Sequence, residues 1–384
     1  MTPPSVGSAP FTPPRVLIAA WEPACLLPIF GEAALTRLVR LAASEGCAVT
    51  VLLTPELRGA LSRRPRDAGI VVWRLTPREE LPEAAAQVGG HPQEPVLLLP
   101  GHSVWDRRSF RRALAGVPGS LSAFRLAAAQ VPVALEEWRE KGVPTIEGGL
   151  PVLLSRPEDA PAAEARLVAA LAAATQESDG FLARWVDRPL SRRLSPRLAA
   201  WGVPPNAVTL AGVSIGLAGA FLLALAVYPA QVAGALLFWA AVVLDGVDGE
   251  VARLSLKESR FGHYLDIITD NLVHVGVFVG LAVGLYRQAP DARHLYALGL
   301  LLIGFGLCAL AVYMVLGRQD QAAEGTPAER LITALNSRDF AYLILLLAVA
   351  NRLHWFLWGA AVGTYVFAGL LFTLGRRADR AGRA

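Results

Sequence analysis

The sequence is poor in cysteine. Cys25, Cys47 and Cys308 are the three cysteines among 384 residues. They are odd in number and widely spaced, so neither a disulfide framework nor a thiolate zinc site is expected. A reducing compartment is the default for the soluble part. The opening stretch MTPPSVGSAPFTPPR lacks a charged head followed by an apolar run, so no secretory signal is read there and the first domain is expected in the cytoplasm. Charge is also scarce. Charged residues make up 18% of the chain against 54% hydrophobic ones, an apolar share above that of ordinary soluble domains.

The apolar excess, seen in a mean hydropathy of +0.42, is not spread evenly. Up to about Trp201 the chain mixes charged, apolar and Pro/Gly residues as a globular domain does, whereas from Ala207 onward long apolar runs dominate. A pI near 9.2 does not imply a nucleic-acid partner here. The arginines of the second half stand at the ends of apolar runs, which suits anionic lipid headgroups and the positive-inside rule. The expected fold class is therefore multi-domain: an N-terminal α/β domain with a mainly parallel sheet, then an all-α six-helix transmembrane bundle.

The expected boundaries are a flexible N-terminus over 1–14, a cytoplasmic α/β domain over 15–178, a juxtamembrane segment over 179–205, a membrane domain over 206–376 and a basic tail over 377–384. RVLIAA and CAVTVLLT are β-branched apolar runs bounded by turn formers. The helix-like EAALTRLVRLAASEG between them ends on Gly46, a βαβ pattern. GIVVWRL and PVLLLPG add two strands, SVWDRRSFRRALAGV a helix, and PEDAPAAEARLVAALAAATQES a closing Ala-rich helix. In the juxtamembrane segment Phe181, Leu182, Trp185 and Val186 alternate with Arg184, Arg188, Arg192, Arg193 and Arg197. That pattern predicts a helix lying on a bilayer surface.

Six apolar segments follow, at 207–227, 231–249, 262–285, 295–316, 339–353 and 355–375, each near the roughly twenty residues that span a bilayer. The fifth is short. Arg253, Lys257, Arg260, Arg318, Arg330, Arg338 and the tail RRADRAGR would lie inside, against Arg287, Arg293 and Arg352 outside. That asymmetry predicts an inner-membrane protein with its N-terminal domain and C-terminus both cytoplasmic.

Within this greasy region the stretch LDGVDGEVARLSLKESRFGHYLDIITDN keeps Asp245, Asp248, Asp266 and Asp270. Burying a carboxylate in hydrocarbon is costly enough that intramembrane aspartates are functional-site candidates by default. Asp245 and Asp248 are three apart, Asp266 and Asp270 four apart, so each pair shares a helical face. A short turn makes the two helices antiparallel neighbours, and the four carboxylates are expected to converge. Such convergence calls for cations. Oxygen-only ligands select hard ions such as Mg²⁺ or Mn²⁺, which also bridge phosphates. Gly246, Gly249, Gly262 and Ala252 leave room for a base or diphosphate to reach the backbone, and Arg253 offers a phosphate fork. Ion or solute transport is the competing class, but transport sites sit near the midplane of repeated halves, and no second copy of the motif is found.

These residues resemble the CDP-alcohol phosphotransferase signature, with Asp245, Gly246, Asp248, Gly249, Ala252, Arg253, Gly262, Asp266 and Asp270 all in place. The resemblance implies a six-helix membrane enzyme, usually a homodimer. It would transfer a phosphoalcohol from a CDP-alcohol donor to an alcohol or phosphorylated-polyol acceptor and release CMP. It also implies that Asp245, Asp248 and Asp266 hold metal, that Asp270 at the end of the set is the general base and a fourth candidate ligand, and that Asp245, Gly246, Gly249, Ala252, Arg253 and Gly262 line the CDP site. PPNAVTL is similar to the family's entry to the first span, which adds Asn206 and Thr209 to that site. Lys257, Arg318, Arg330 and Arg338 are candidates for an acceptor phosphate.

The N-terminal domain looks like a sugar-nucleotidyltransferase. Its fusion to the membrane domain is similar to that of bifunctional inositol-phosphate cytidylyltransferase and di-inositol-phosphate-phosphate synthases. An inositol phosphate is therefore the leading specific substrate, with CDP-diacylglycerol-dependent phospholipid synthesis as the alternative. The first domain is expected to be inactive. After RVLIAA the glycine-rich phosphate cradle such a domain needs is replaced by Trp21, Glu22 and Pro23. After PVLLLPG, His102 stands where the pattern has a metal-binding aspartate, with Asp106 as the nearest substitute.

Overall fold

The computed structural model describes residues 14–60, 71–88, 91–117, 124–144, 150–175, 183–316 and 340–381. The chain divides into two compact units: residues 1–171 with 199–202 and 254–256, and residues 172–198 with 203–253 and 257–384.

The first unit is α/β. Its strands are β1 (Arg15–Ala20), β2 (Pro28–Ile29), β3 (Glu32–Ala33), β4 (Ala48–Leu53), β5 (Val71–Leu75), β6 (Pro95–Pro100), β7 (Ser103–Val104), β8 (Arg125–Ala127) and β9 (Val152–Leu153). Its helices are α1 (Ala34–Ser44), α2 (Pro55–Ala60), α3 (Leu81–Ala86), α4 (Arg107–Ala115), α5 (Val131–Lys141) and α6 (Asp159–Thr175). The main sheet has the order β5-β4-β1-β6-β8. It is parallel except for β8, which pairs antiparallel with β6 at the edge. The central β1 is covered on both faces, so Val16 through Ala20 are all buried, the unbroken apolar run that a parallel strand requires. Past the end of α1, Gly46 takes the left-handed φ of +72° that glycine adopts without a Cβ clash. The region read as one helix from Glu32 starts instead with the β2–β3 hairpin, and α1 begins at Ala34.

In the second unit α7 (Arg188–Ala200) follows a single π turn at Ala183–Asp187. Then come α8 (Pro205–Ala224), α9 (Tyr228–Leu254), α10 (Arg260–Gln288), α11 (Ala292–Leu316) and two further helices, Phe340–Val349 and Leu353–Ala381. Among the described residues five helices are long and apolar enough to cross a membrane, and Phe340–Val349 is a shorter apolar helix. The fifth expected span is thus ten residues of helix, too short to cross alone at 1.5 Å per residue. The chain is an integral membrane protein.

Glycine sets how closely α8, α9 and α10 approach. A Cβ on Gly219 would lie 2.7 Å from the Gly234 carbonyl oxygen, where α8 meets α9, and one on Gly280 would collide with the Ala220 carbonyl oxygen, where α10 meets α8. Backbone rather than a movable side chain is in the way. Small residues at such crossings replace the hydrophobic driving force that lipid removes. Gly280→Ala is therefore expected to lower stability by about 1–3 kcal/mol through overpacking, seen as a lower melting temperature in detergent. The same change at Gly299, where nothing lies within 4 Å of the added atom, is expected to be neutral or stabilising because alanine is the better helix former.

Candidate active site

Three helices build the site. The second half of α9 carries Asp245, Gly246, Asp248, Gly249, Ala252 and Arg253; α10 carries Gly262, Asp266 and Asp270; the first turns of α8 carry Asn206 and Thr209. The close α8–α9 and α8–α10 crossings described above bring these segments together.

Asp245, Asp248 and Asp266 each offer a carboxylate oxygen, and the three atoms lie within 4.8 Å of one another. Asp248 is 5% exposed, and Oδ2 of Asp245 and Oδ1 of Asp266 are shut off from solvent. Thr209 Oγ1 donates to Asp248 Oδ2 at 2.5 Å. That bond fixes the carboxylate and leaves its other oxygen for a further partner. Three negative groups this close repel strongly without a cation. An all-oxygen set of this size fits a hard divalent ion and not a soft one.

Asp270 is not in this group. The shared face read from the four-residue spacing is real, but four residues also advance the helix by about 6 Å. Asp270 stands one turn of α10 beyond Asp266.

A Cβ on Gly249 would stand 3.3 Å from Arg253 Nη2, so the missing side chain is what lets the guanidinium lie over that turn of α9. A Cβ on Gly262 would meet Ser259 Oγ at 3.1 Å and Asn206 Oδ1 at 3.2 Å, which puts Asn206 beside the start of α10. Ser259, missed in the sequence reading, caps that helix: its Oγ accepts from Gly262 N at 2.9 Å. The signal was a serine just before an apolar-periodic run. Gly246 and Ala252 are half-buried, while Lys257 is exposed. Arg318, Arg330 and Arg338 lie outside the described residues.

A profile of the CDP-alcohol phosphatidyltransferase family matches residues 203–367. The archaetidylinositol phosphate synthase of Pyrococcus horikoshii is 31% identical over 144 residues, covering 37% of this chain and 69% of that protein. The chain belongs to the CDP-alcohol phosphatidyltransferase family. A bifunctional IPC transferase and DIPP synthase of Archaeoglobus fulgidus is 30% identical over 222 residues, covering 56% of this chain and 41% of the relative. This phosphatidyltransferase-family chain thus spans less than half the length of the bifunctional relatives it matches. Among solved structures, the phosphatidylinositol phosphate synthase of Mycobacterium tuberculosis with CDP-DAG bound aligns with 20% identity and a TM-score of 0.35, covering 50% of this chain and 93% of that one.

In the first unit the turn after β1 is part core and part surface: Trp21 is buried, Glu22 half-buried and Pro23 exposed. After β1 the chain turns into a 3-10 helix at Pro23–Leu26. There Cys25 is fully buried, and burial pushes its thiol up to about 12. A Cβ on Gly101 would stand 2.9 Å from Ala20 Cβ and 3.0 Å from Cys25 Sγ, so the turns after β1 and β6 close on each other. His102 is buried. Burial holds its imidazole below the ordinary value, with the Glu22 charge opposing. Asp106, the substitute considered for a metal ligand, caps α4 by accepting from Ser109 N at 3.2 Å.

Proposed function

We propose that this chain is a divalent-metal-dependent membrane transferase that moves a phosphoalcohol group from a CDP-alcohol to an acceptor hydroxyl. The observation that carries the reading is the oxygen-only triad of half-buried Asp245, buried Asp248 and half-buried Asp266, inside the segment that the family profile matches. Mg²⁺ or Mn²⁺ held there would neutralise charge on the donor diphosphate. Arg253 supplies a fork for its phosphate oxygens, and the half-buried Gly246, Gly249 and Ala252 leave the backbone open beside it.

The acceptor oxygen bonds to the phosphorus that bears the donor alcohol. The bond from that phosphorus to the oxygen shared with cytidine phosphate breaks, its electron pair leaves with CMP, and the acceptor proton passes to Asp270. The relatives' names converge on inositol phosphate lipids, which supports an inositol phosphate acceptor, with Lys257, Arg318, Arg330 and Arg338 as its phosphate contacts. Purified full-length protein is expected to release CMP when given inositol phosphate, Mg²⁺ or Mn²⁺, and either CDP-diacylglycerol or CDP-inositol. Comparing the two donors separates phospholipid synthesis from use of a soluble CDP-alcohol. No CMP with either donor and either metal would sink the proposal.

The first unit, on the same reading, does not transfer cytidylyl groups. Pro23 offers no N–H, Glu22 repels phosphate, and the turns after β1 and β6 meet closely at Ala20, Cys25 and Gly101. The full chain is expected to release no pyrophosphate above background from CTP, Mg²⁺ and a panel of phosphorylated polyols. Release with any of them would overturn this assignment.

A further inference from the structure

The stripe that α7 and its preceding turn bury is polar. Asp187, Ser191 and Ser195, four residues apart, are 7%, 1% and 0% exposed, whereas Trp185 is 70% exposed. A surface helix in an amphipathic sequence ordinarily buries its apolar side against its own protein or the bilayer boundary. What the polar stripe meets is one residue of the aspartate motif that the chemistry above leaves unused.

Glu250, 3% exposed, lies two residues past Asp248. That offset places it about 200° around α9 from the metal-facing carboxylate. Its Oε1 accepts from Arg188 Nη1 at 2.6 Å and from Ser191 Oγ at 2.9 Å, and its Oε2 accepts from Ser195 Oγ at 2.7 Å. Both carboxylate oxygens are thereby engaged by one helix. Tyr342 of the Phe340–Val349 helix donates to Asp187, at the other end of the same stripe. Leu194 and Leu198 pack beside Val247 and Val251 of α9, so the polar contact sits in an apolar surround. A buried charge pair in such a setting adds little net stability but fixes geometry and is costly to break by halves.

We propose that Glu250 is a positioning residue: through Arg188, Ser191 and Ser195 it locks the surface helix to α9 and fixes the rotation at which α9 presents Asp245 and Asp248. A free rotation of α9 by one residue would carry those carboxylates about 100° away from Asp266. The inference rests on the metal reading of the triad.

The test compares full-length wild type, Glu250→Gln and the pair Ser191→Ala with Ser195→Ala in detergent. Hydrogen exchange along α9 and Mn²⁺ binding followed by electron paramagnetic resonance are the readouts, with kcat and KM for the donor alongside. Glu250→Gln is expected to speed exchange over residues 245–253, weaken Mn²⁺ binding about 3- to 10-fold and lower kcat while leaving the donor KM near wild type. The serine pair is expected to shift the same readouts in the same direction by less. If Glu250→Gln fails to fold, the serine pair decides. Wild-type exchange along α9 in folded variants would overturn the positioning role, as would Mn²⁺ binding and kcat within two-fold of wild type. If wild type bound no Mn²⁺, the metal reading would fall separately, and exchange alone would decide whether Glu250 holds the helix.

Discussion

Asp248→Asn is expected to abolish CMP release and to weaken Mn²⁺ binding at least 100-fold, a loss of about 2.7 kcal/mol at 1.36 kcal/mol per decade. Asparagine has the same shape, keeps one oxygen for Thr209 and removes the charge. The Thr209 hydroxyl already holds Oδ2 at 2.5 Å. The atom an asparagine would turn toward Asp245 and Asp266 is then an NH₂, which donates and cannot ligate a cation. Asp245→Asn is expected to act in the same direction. A purely structural role for Asp248 predicts the opposite signature in a melting experiment. With the three carboxylate oxygens within 4.8 Å, apo wild type carries like-charge repulsion that Asp248→Asn relieves. The metal-free variant is thus expected to melt no lower than metal-free wild type. Added Mn²⁺ is expected to raise the melting temperature of wild type through ligand linkage and to leave the variant where it was. A variant that still melted higher with Mn²⁺ would remove Asp248 from the ligand set. Thr209→Val tests the support for that ligand. It leaves the carboxylate in place without its donor, and a reduction of roughly ten-fold is expected, in line with loss of a hydrogen bond to a charged group.

How much of this was legible beforehand depends on how local each feature is. β1, β4 and β6 were readable because a parallel strand covered on both faces leaves an unbroken apolar run, as in RVLIAA and PVLLLP. The aspartate motif was readable because its spacing encodes helical faces. Two things were harder to read. The first is axial: periodicity gives the face a residue occupies but says little about depth, and Asp270 shares a face with Asp266 yet stands one turn further along α10. The second is contact between distant segments. Ser191 and Ser195 are ordinary in a basic helix, and Glu250 is an unremarked position between Gly249 and Val251. Only the packing of α7 on α9, across 59 and 55 residues of sequence, brings them together. The available signal was the four-residue recurrence of Asp187, Ser191 and Ser195, a polar stripe where the apolar residues drew the eye. β8 escaped for a similar reason, since an edge strand of three residues buries too little to leave a pattern.

Asp270→Asn is expected to lower the rate of CMP release by about 10²–10⁴-fold, the usual span for loss of a general base, while Mn²⁺ and donor bind nearly as in wild type. The position of Asp270 makes the two effects separable. On the proposed reading Asp245, Asp248 and Asp266 hold the metal, so removing Asp270 leaves those three carboxylates in place. It lies one turn along α10 from Asp266, where the proposed mechanism has it take the acceptor proton. Asparagine offers no basic oxygen at that place, so the proton must go to water. Measuring a single turnover with donor prebound isolates this step from binding and from product release. The expected record is an unchanged Mn²⁺ titration, an unchanged donor dissociation constant and a slowed burst of CMP. Two outcomes would count against the assignment, and they point to different errors. Loss of Mn²⁺ binding comparable to that of Asp248→Asn would make Asp270 a ligand, so that the metal set would be four carboxylates as first read from the sequence. A near-normal burst with Mn²⁺ binding intact would mean that the acceptor proton leaves by another group, and Asp270 would then have no part in the chemical step.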